Sequence, residues 1–490
     1  MLPANKQPYA GSLHAAHGVA GGPAARWTIV PKNSRVLLIS PFPDSGLTDM
    51  KEPPHGLAYI ASALRERGYP VAVIDAKCRG LRTGQVVEEA LTRRPDLVGI
   101  TAMTPDIVWA AKIAAGIKAA LPDVLIAVGG PHSTALPEET LREFPAFDVA
   151  AFGEGEETML EIAGRLESGL EDALDGIAGI AYRKDGTVIV NSGREFATDL
   201  DAIPFPAWDL FSFPEGSAYP IYATRGCPFK CKFCQRVLGD RVRKRSVENV
   251  VKEIEWVLGT FGARGFYFAD ETFGADRAWT RELLHRMIER GIPSTTTWYA
   301  QTRADIIEEE LLTLMKRAGC DGIAFGVESG SQEILRKTGK RLNLGDVRRA
   351  VALAKKLDIR TRSFFILGHP YETLQTIDET IRFAAELNTD FVSFAVMVPY
   401  PGTEIWRLAR NGEAGYNYVS ANWDDYRKHL ATPLGFESIP PEKLKNLDKK
   451  AYLTFYIHNH RWSDLLVFLW GHRQSIQSYL QNKVRRLQRV

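Results

Sequence analysis

The sequence predicts an α/β chain of two successive domains and a helical tail: a doubly wound parallel sheet, then a partial (βα)6 barrel. Two observations predict this. From Arg35 to about residue 410, short runs rich in Val, Ile and Leu alternate with amphipathic stretches of helical length, the pattern of parallel strands joined by helices. The alternation breaks once, across residues 171–218, where Pro204, Pro206 and Pro214 interrupt regular structure. A length of 490 residues leaves room for two or three domains, each with its own core.

Taken in order, residues 1–33 are rich in Gly, Ala, Pro and His and read as a flexible extension, with no apolar stretch leading to a cleavage site. Residues 34–170 form the first domain, Rossmann-like in layout, with strands at 35–40, 71–75, 97–101, 124–128 and 148–152. Its helices fall near 55–68, 83–93, 106–120 and 137–144, with another after Gly155. The connector, 171–218, holds a hairpin turning at Lys184-Asp185-Gly186. Residues 219–412 form the second domain, TIM-like, with strands at 221–224, 265–268, 296–300, 322–327, 362–367 and 391–398. Residues 413–490 form an aromatic-rich, mostly helical region.

Composition excludes several classes. With 45% apolar and 24% charged residues the chain is globular rather than disordered. Five cysteines cannot organise a disulfide scaffold of this length. Sixty-one Lys and Arg against 59 Asp and Glu make no basic field for nucleic acid, so no nucleic-acid partner is expected. No apolar run reaches membrane-spanning length. A cytoplasmic setting is the default, and there cysteines stay reduced and serve as ligands or nucleophiles.

In a doubly wound sheet, ligands settle beyond the carboxyl ends of the strands. In this chain those positions carry Asp75-Ala76-Lys77-Cys78-Arg79-Gly80, Thr101, Gly129-Gly130-Pro131-His132 and Gly153-Glu154. Small residues recur where a large ligand needs close backbone approach, although each glycine alone equally makes a turn.

Cys227, Cys231 and Cys234 lie in a loop after the first strand of the second domain. A structural zinc takes four ligands, and Cys78 and Cys320 are distant in sequence. Three thiolates suit a four-iron, four-sulfur (4Fe-4S) cluster with one iron left open, and zinc remains the competitor. Further motifs follow the later strands in order: Asp270-Glu271-Thr272, Gln301-Thr302-Arg303, Glu328-Ser329, Gly368-His369-Pro370 with Glu372, and Pro399-Tyr400-Pro401-Gly402.

The CxxxCxxC loop and these motifs resemble those of the radical S-adenosylmethionine enzymes, and the first domain resembles their cobalamin-binding partner domain. The resemblance spans about residues 35 to 410. It implies a 4Fe-4S cluster on Cys227, Cys231 and Cys234, with S-adenosylmethionine contacted by Arg303, Glu328, Ser329 and Gly368. It further implies cobalamin held against Asp75, Lys77, Gly80, Thr101, Gly129, Gly130, Gly153 and Glu154. Lys77 stands where related methyltransferases carry a cobalt-ligating histidine. A protonated amine cannot coordinate, so no axial protein ligand to cobalt is expected. His55 and His132 lie on the same expected face, and Cys78 and Cys320 read as packing residues.

The activity this implies is methylation of an unactivated carbon, with an oxidative cyclase or ring-rearranging enzyme, or a non-catalytic cobalamin sensor or carrier, as alternatives. The expected partners are a small-molecule or lipid-like substrate and an external electron donor such as flavodoxin or ferredoxin. Trp462, Leu465, Leu466, Phe468, Leu469 and Trp470, followed by Arg473, Lys483, Arg485, Arg486 and Arg489, form an apolar stretch ending in cations. Such a segment docks on the barrel or makes a peripheral membrane contact.

Overall fold

In a computed structural model, residues 34–44, 52–168, 174–213, 216–427 and 433–471 are described. The extension expected over residues 1–33 and the cations beyond residue 471 lie outside them. The first sheet contains β1 (Val36–Ser40), β2 (Val71–Asp75), β3 (Leu97–Thr101), β4 (Leu125–Gly129), β5 (Val149–Ala151), β6 (Ile180–Lys184) and β7 (Thr187–Val190). Its order is β2-β1-β3-β4-β5-β6-β7. The first five strands run parallel, and β6 pairs antiparallel with β5. Strand alternation supplies both faces: Val36 and Leu38 enter one core, Leu37 and Ile39 the other.

The hairpin expected in the connector is present, and it extends this sheet to seven strands rather than standing apart. Parallel β5 leaves one edge open, and Ile180 to Tyr182 bring a buried backbone to cover it.

The second sheet contains β8 (Ala218–Ile221), then, after a small ribbon of β9 (Thr224–Arg225) and β10 (Arg243–Lys244), β11 (Gly265–Phe268), β12 (Thr297–Thr302), β13 (Cys320–Glu328), β14 (Arg360–Leu367) and β15 (Phe391–Val396). All six sheet strands are parallel and sit in chain order, the layout of a partial barrel. On β12, Trp298 and Ala300 are buried under the outer helices, so Thr297, Tyr299 and Gln301 face the concave side.

The first barrel strand ends at Ile221, three residues earlier than expected. Asp270 is the reason. Its Oδ1 accepts the N–H of Ala223 (2.8 Å) and Thr224 (3.1 Å), and its Oδ2 accepts the Thr224 hydroxyl (2.8 Å), which draws the chain out of the sheet.

Beyond the barrel, helices Pro441–His458 and Trp462–Gly471 form the expected helical region. A short ribbon that the sequence pattern did not reveal precedes them, β16 (Tyr416–Val419) with β17 (Leu434–Phe436). Helix Pro441–His458 packs on β15 and the helix after β14. Between the two strands of this ribbon, Trp423 crosses back to the first domain, donating to Glu143 (2.9 Å) and meeting the His132 ring edge-on at 4.9 Å.

Candidate functional site

Cys227, Cys231 and Cys234 lie in a loop pinned on three sides. Cys227 N–H donates to Gly239 O (3.2 Å), Lys232 N–H to Thr338 O (2.9 Å), and the Gln235 amide to Pro401 O (2.7 Å). Gly226 opens the loop at φ +92°, where a side chain would collide with the carbonyls of Arg241 and Leu238. Glu271 accepts the Gly226 N–H (3.2 Å), and the Thr272 hydroxyl sits 3.6 Å from Cys227 Sγ. Burial pushes Asp270 up to about 7 and raises Glu271 as well. The Asp270-Glu271-Thr272 motif therefore braces the cysteine loop rather than forming a solvated turn.

Cys231 is buried and Cys234 exposed. A hydrogen bond from Cys234, together with the positive fields of Lys340 and Arg303, holds the Cys231 thiol below its ordinary range. Among the described residues, no group of three His, Cys, Asp or Glu side chains is gathered to hold one metal ion. The three thiols and their cationic neighbours fit a 4Fe-4S cube, in which each thiolate takes its own iron.

Across from the loop, Glu328 ends β13 at φ +72°. Its carboxylate meets Lys340 Nζ at 3.2 Å, and Gly326 is small because a Cβ there would strike that same carboxylate. Arg303 is buried, forked onto Asp305 (2.7 and 3.0 Å), bonded to Lys340 O (2.9 Å) and lying 4.0 Å over the Phe229 ring. Arg303, Glu328 and Lys340 thus gather beside the cysteine loop. Ser329 does not join them: its hydroxyl pairs with Thr380 (3.0 Å) and accepts the Ser331 N–H (3.1 Å). Gly368, at φ +95°, is fixed by its N–H on Glu372 and its carbonyl under Tyr416 (3.0 Å).

The sequence pattern did not single out His369 within its motif. It is fully buried, its Nε2 3.3 Å from Glu328 O and its ring 5.5 Å from Phe233. Its place inside the Gly368-His369-Pro370 motif was the signal that could have found it.

On the first domain, no atom lies within 4 Å of where a side chain on Gly129 or Gly153 would begin, so an open cradle runs along the strand ends. Gly130, at φ +103°, instead packs against Ala102 O and Thr101 Oγ1. Asp75 caps the short helix Ala76–Arg79 through Cys78 N–H (3.2 Å), and Gly80 ends that helix at φ +66°. Asp75 Oδ2 is buried and has no hydrogen-bond partner among the described residues, and Lys77 is half-buried on the same turn. These features suit a large polar ligand such as cobalamin.

Two residues of this face also bond the barrel. Glu154 turns to the barrel, accepting Arg225 (2.8 Å), Arg243 (2.9 Å) and Ala197 N–H (2.9 Å). Burial pushes its carboxyl up, and the two arginines outweigh this and hold it below its ordinary range. His55 also points to the barrel, bonding Tyr222 (3.2 Å) and Tyr267 (3.1 Å). Burial lowers it to about 4, so it is neutral at pH 7. Cys320 is buried at the start of β13, in keeping with packing, and Cys78 is half-buried with its thiol pushed up to about 12.

Two family models match the chain, the B12 binding domain over residues 48–163 and the Radical SAM superfamily over residues 221–384. An uncharacterised methyltransferase of Pyrococcus horikoshii is 34% identical over 439 residues, covering 87% of this chain and 93% of that protein. The chain belongs to the cobalamin-binding radical S-adenosylmethionine enzymes. The anaerobic magnesium-protoporphyrin IX monomethyl ester cyclase of Rubrivivax gelatinosus is 33% identical, covering 76% of this chain and 69% of that protein. The radical S-adenosylmethionine methyltransferase TsrM of Kitasatospora setae shares the fold at TM-score 0.69 and 19% identity, over 87% of this chain and 89% of that one. As a member of the cobalamin-binding radical S-adenosylmethionine enzymes, the chain uses a 4Fe-4S cluster, S-adenosylmethionine and cobalamin. No helix among the described residues is long and apolar enough to cross a membrane.

Proposed function

We propose that this enzyme methylates an unactivated carbon of a small molecule held in the barrel. The observation that carries the reading is the opposition of two open sites, the glycine cradle of the first domain and the cysteine loop of the second. Arg225, two residues before Cys227, bonds Glu154 (2.8 Å) and Glu156 (2.7 Å) and so locks one site to the other.

When bound, the cluster with S-adenosylmethionine supplies a 5′-deoxyadenosyl radical, and cobalamin supplies a transferable methyl group. Cys227, Cys231 and Cys234 would hold the cluster. Arg303 and Lys340 place positive charge beside those thiolates, and Glu328 is the carboxylate placed to meet the cosubstrate. Gly129, Gly130 and Gly153, with Asp75, Lys77, Gly80 and Thr101, would seat the corrin. His369 props the Glu328 carbonyl and packs on Phe233, which keeps the loop dry.

Lys230 and Arg236 are exposed on the cysteine loop, a surface suited to an acidic electron donor such as flavodoxin or ferredoxin. Helix Trp462–Gly471 packs through Phe468 on Tyr452 at 4.9 Å, while Trp462, Leu466, Val467 and Trp470 stay exposed. We assign that outer face, with the cations that follow it in sequence, to contact with an anionic membrane, which suits a lipid-like substrate.

The test is anaerobic turnover with methyl-labelled S-adenosylmethionine. Methylation yields S-adenosylhomocysteine and 5′-deoxyadenosine together, with label in the product. The cyclase reading, favoured by the Rubrivivax relative, yields 5′-deoxyadenosine alone. Absence of iron and sulfide after reconstitution would leave a cobalamin carrier.

A further inference from the structure

The concave wall of the barrel carries an unabsorbed pattern. Register places Tyr267, Tyr299, Gly322 and Arg360 in one row, and Gln301, Ala324, Arg362 and Phe391 in the next toward the strand ends. The middle strand contributes only small side chains, Gly322 and Ala324, so the rows leave a trough. Tyr267 and Tyr299 stack on one bank at 4.9 Å with planes 12° apart, and Tyr299 is 42% exposed. Next to the first row, at the strand starts, a cavity of about 230 Å³ is lined by Ala218, Gly265, Thr297, Tyr299, Gly322 and Arg360.

The charges on this wall are unequal. Arg360 pairs with Asp321. Glu52 accepts from Tyr267 Oη (3.1 Å), and Glu328 pairs with Lys340. Arg362 is exposed and, among the described residues, has no hydrogen-bonding or ion-pair partner; its guanidinium lies 5.2 Å over the Phe391 ring. A cation held on an aromatic bank beside a stacked tyrosine pair recognises an anion joined to a flat apolar body.

We propose that Arg362 and the Tyr267–Tyr299 pair select a substrate bearing an anionic group on a flat, unsaturated body. This deepens the proposed methyl transfer and rests on it for why a small molecule enters the barrel.

Equilibrium dialysis of the reconstituted enzyme against cinnamate and cinnamyl alcohol tests it, since the two probes share one flat body and differ in charge. Cinnamate should bind about tenfold more tightly, the effect of one charge-assisted contact. Arg362→Gln should level the two, Tyr299→Leu should weaken both, and Arg348→Gln, on an exposed helix paired with Glu386, should leave the preference intact. Equal retention of the probes by the unaltered enzyme, including retention of neither, overturns the proposal, as does a preference that survives Arg362→Gln. Because dialysis reads no turnover, it fails separately from the labelled-methyl assay.

Discussion

Replacing Glu154 by Gln keeps the side chain's shape and removes the charge that joins the two domains. Glu154 is 7% exposed at its side chain, and its partners Arg225 and Arg243 are 8% and 13% exposed. Breaking a buried pair by neutralising one partner costs ~3–5 kcal/mol. Arg225 keeps Glu156, so the lower end, about 3 kcal/mol, applies. At 1.4 kcal/mol per tenfold, that is about a hundredfold more frequent opening of the domain junction. Hydrogen exchange at the Ala197 amide, which donates to Glu154, reads the opening directly. The sign with pH follows from a lowered carboxylate: the stabilisation is present above the ordinary Glu range, near ~4.3, and is lost as pH falls through the lower folded value. Exchange at Ala197 unchanged within about threefold would refute the clamp, since that corresponds to less than ~1 kcal/mol.

Changing Cys227, Cys231 or Cys234 to Ala should abolish brown colour and bound iron after anaerobic reconstitution while leaving cobalamin binding, measured by absorbance, in place. Gly226→Ala forces a side chain into a left-handed turn against two carbonyls, at a cost of about 1–3 kcal/mol, and should lower both the thermal midpoint and cluster loading. Glu372, pushed up to about 8 by burial, binds a proton in the folded state that the unfolded chain has already lost above ~4.3. Stability should therefore fall by about 1.4 kcal/mol per pH unit from roughly 5 to 8, and Glu372→Gln should flatten that slope in urea titrations. Trp462→Glu with Leu466→Glu should abolish flotation with phosphatidylglycerol vesicles, and phosphatidylcholine vesicles should capture neither protein.

The barrel and the cysteine loop were legible because their signals are local. A buried parallel strand needs a short apolar run, and three thiols within one loop are visible without knowing what packs around them. What the sequence hid has a different origin, the choice of distant partners. The hairpin turning at Lys184-Asp185-Gly186 reads as part of the connector because nothing in its own pattern names β5 as the strand it covers. Glu154 sits at a strand end, where ligand contacts gather, and only the arrival of Arg225 and Arg243 from the barrel reveals its part in the junction. Ser329 was grouped with Glu328 by adjacency, yet in an extended segment consecutive side chains diverge, and its hydroxyl went to Thr380. The ribbon of β16 and β17 escaped notice because each strand is only three or four residues long.

Trp423 and Arg427, which reaches the Pro105 carbonyl at 3.1 Å, fasten a stretch from beyond the barrel to the first domain. Because the barrel lies between these partners in sequence, the two bonds close a long loop of chain and tie the unfolding of one domain to that of the other.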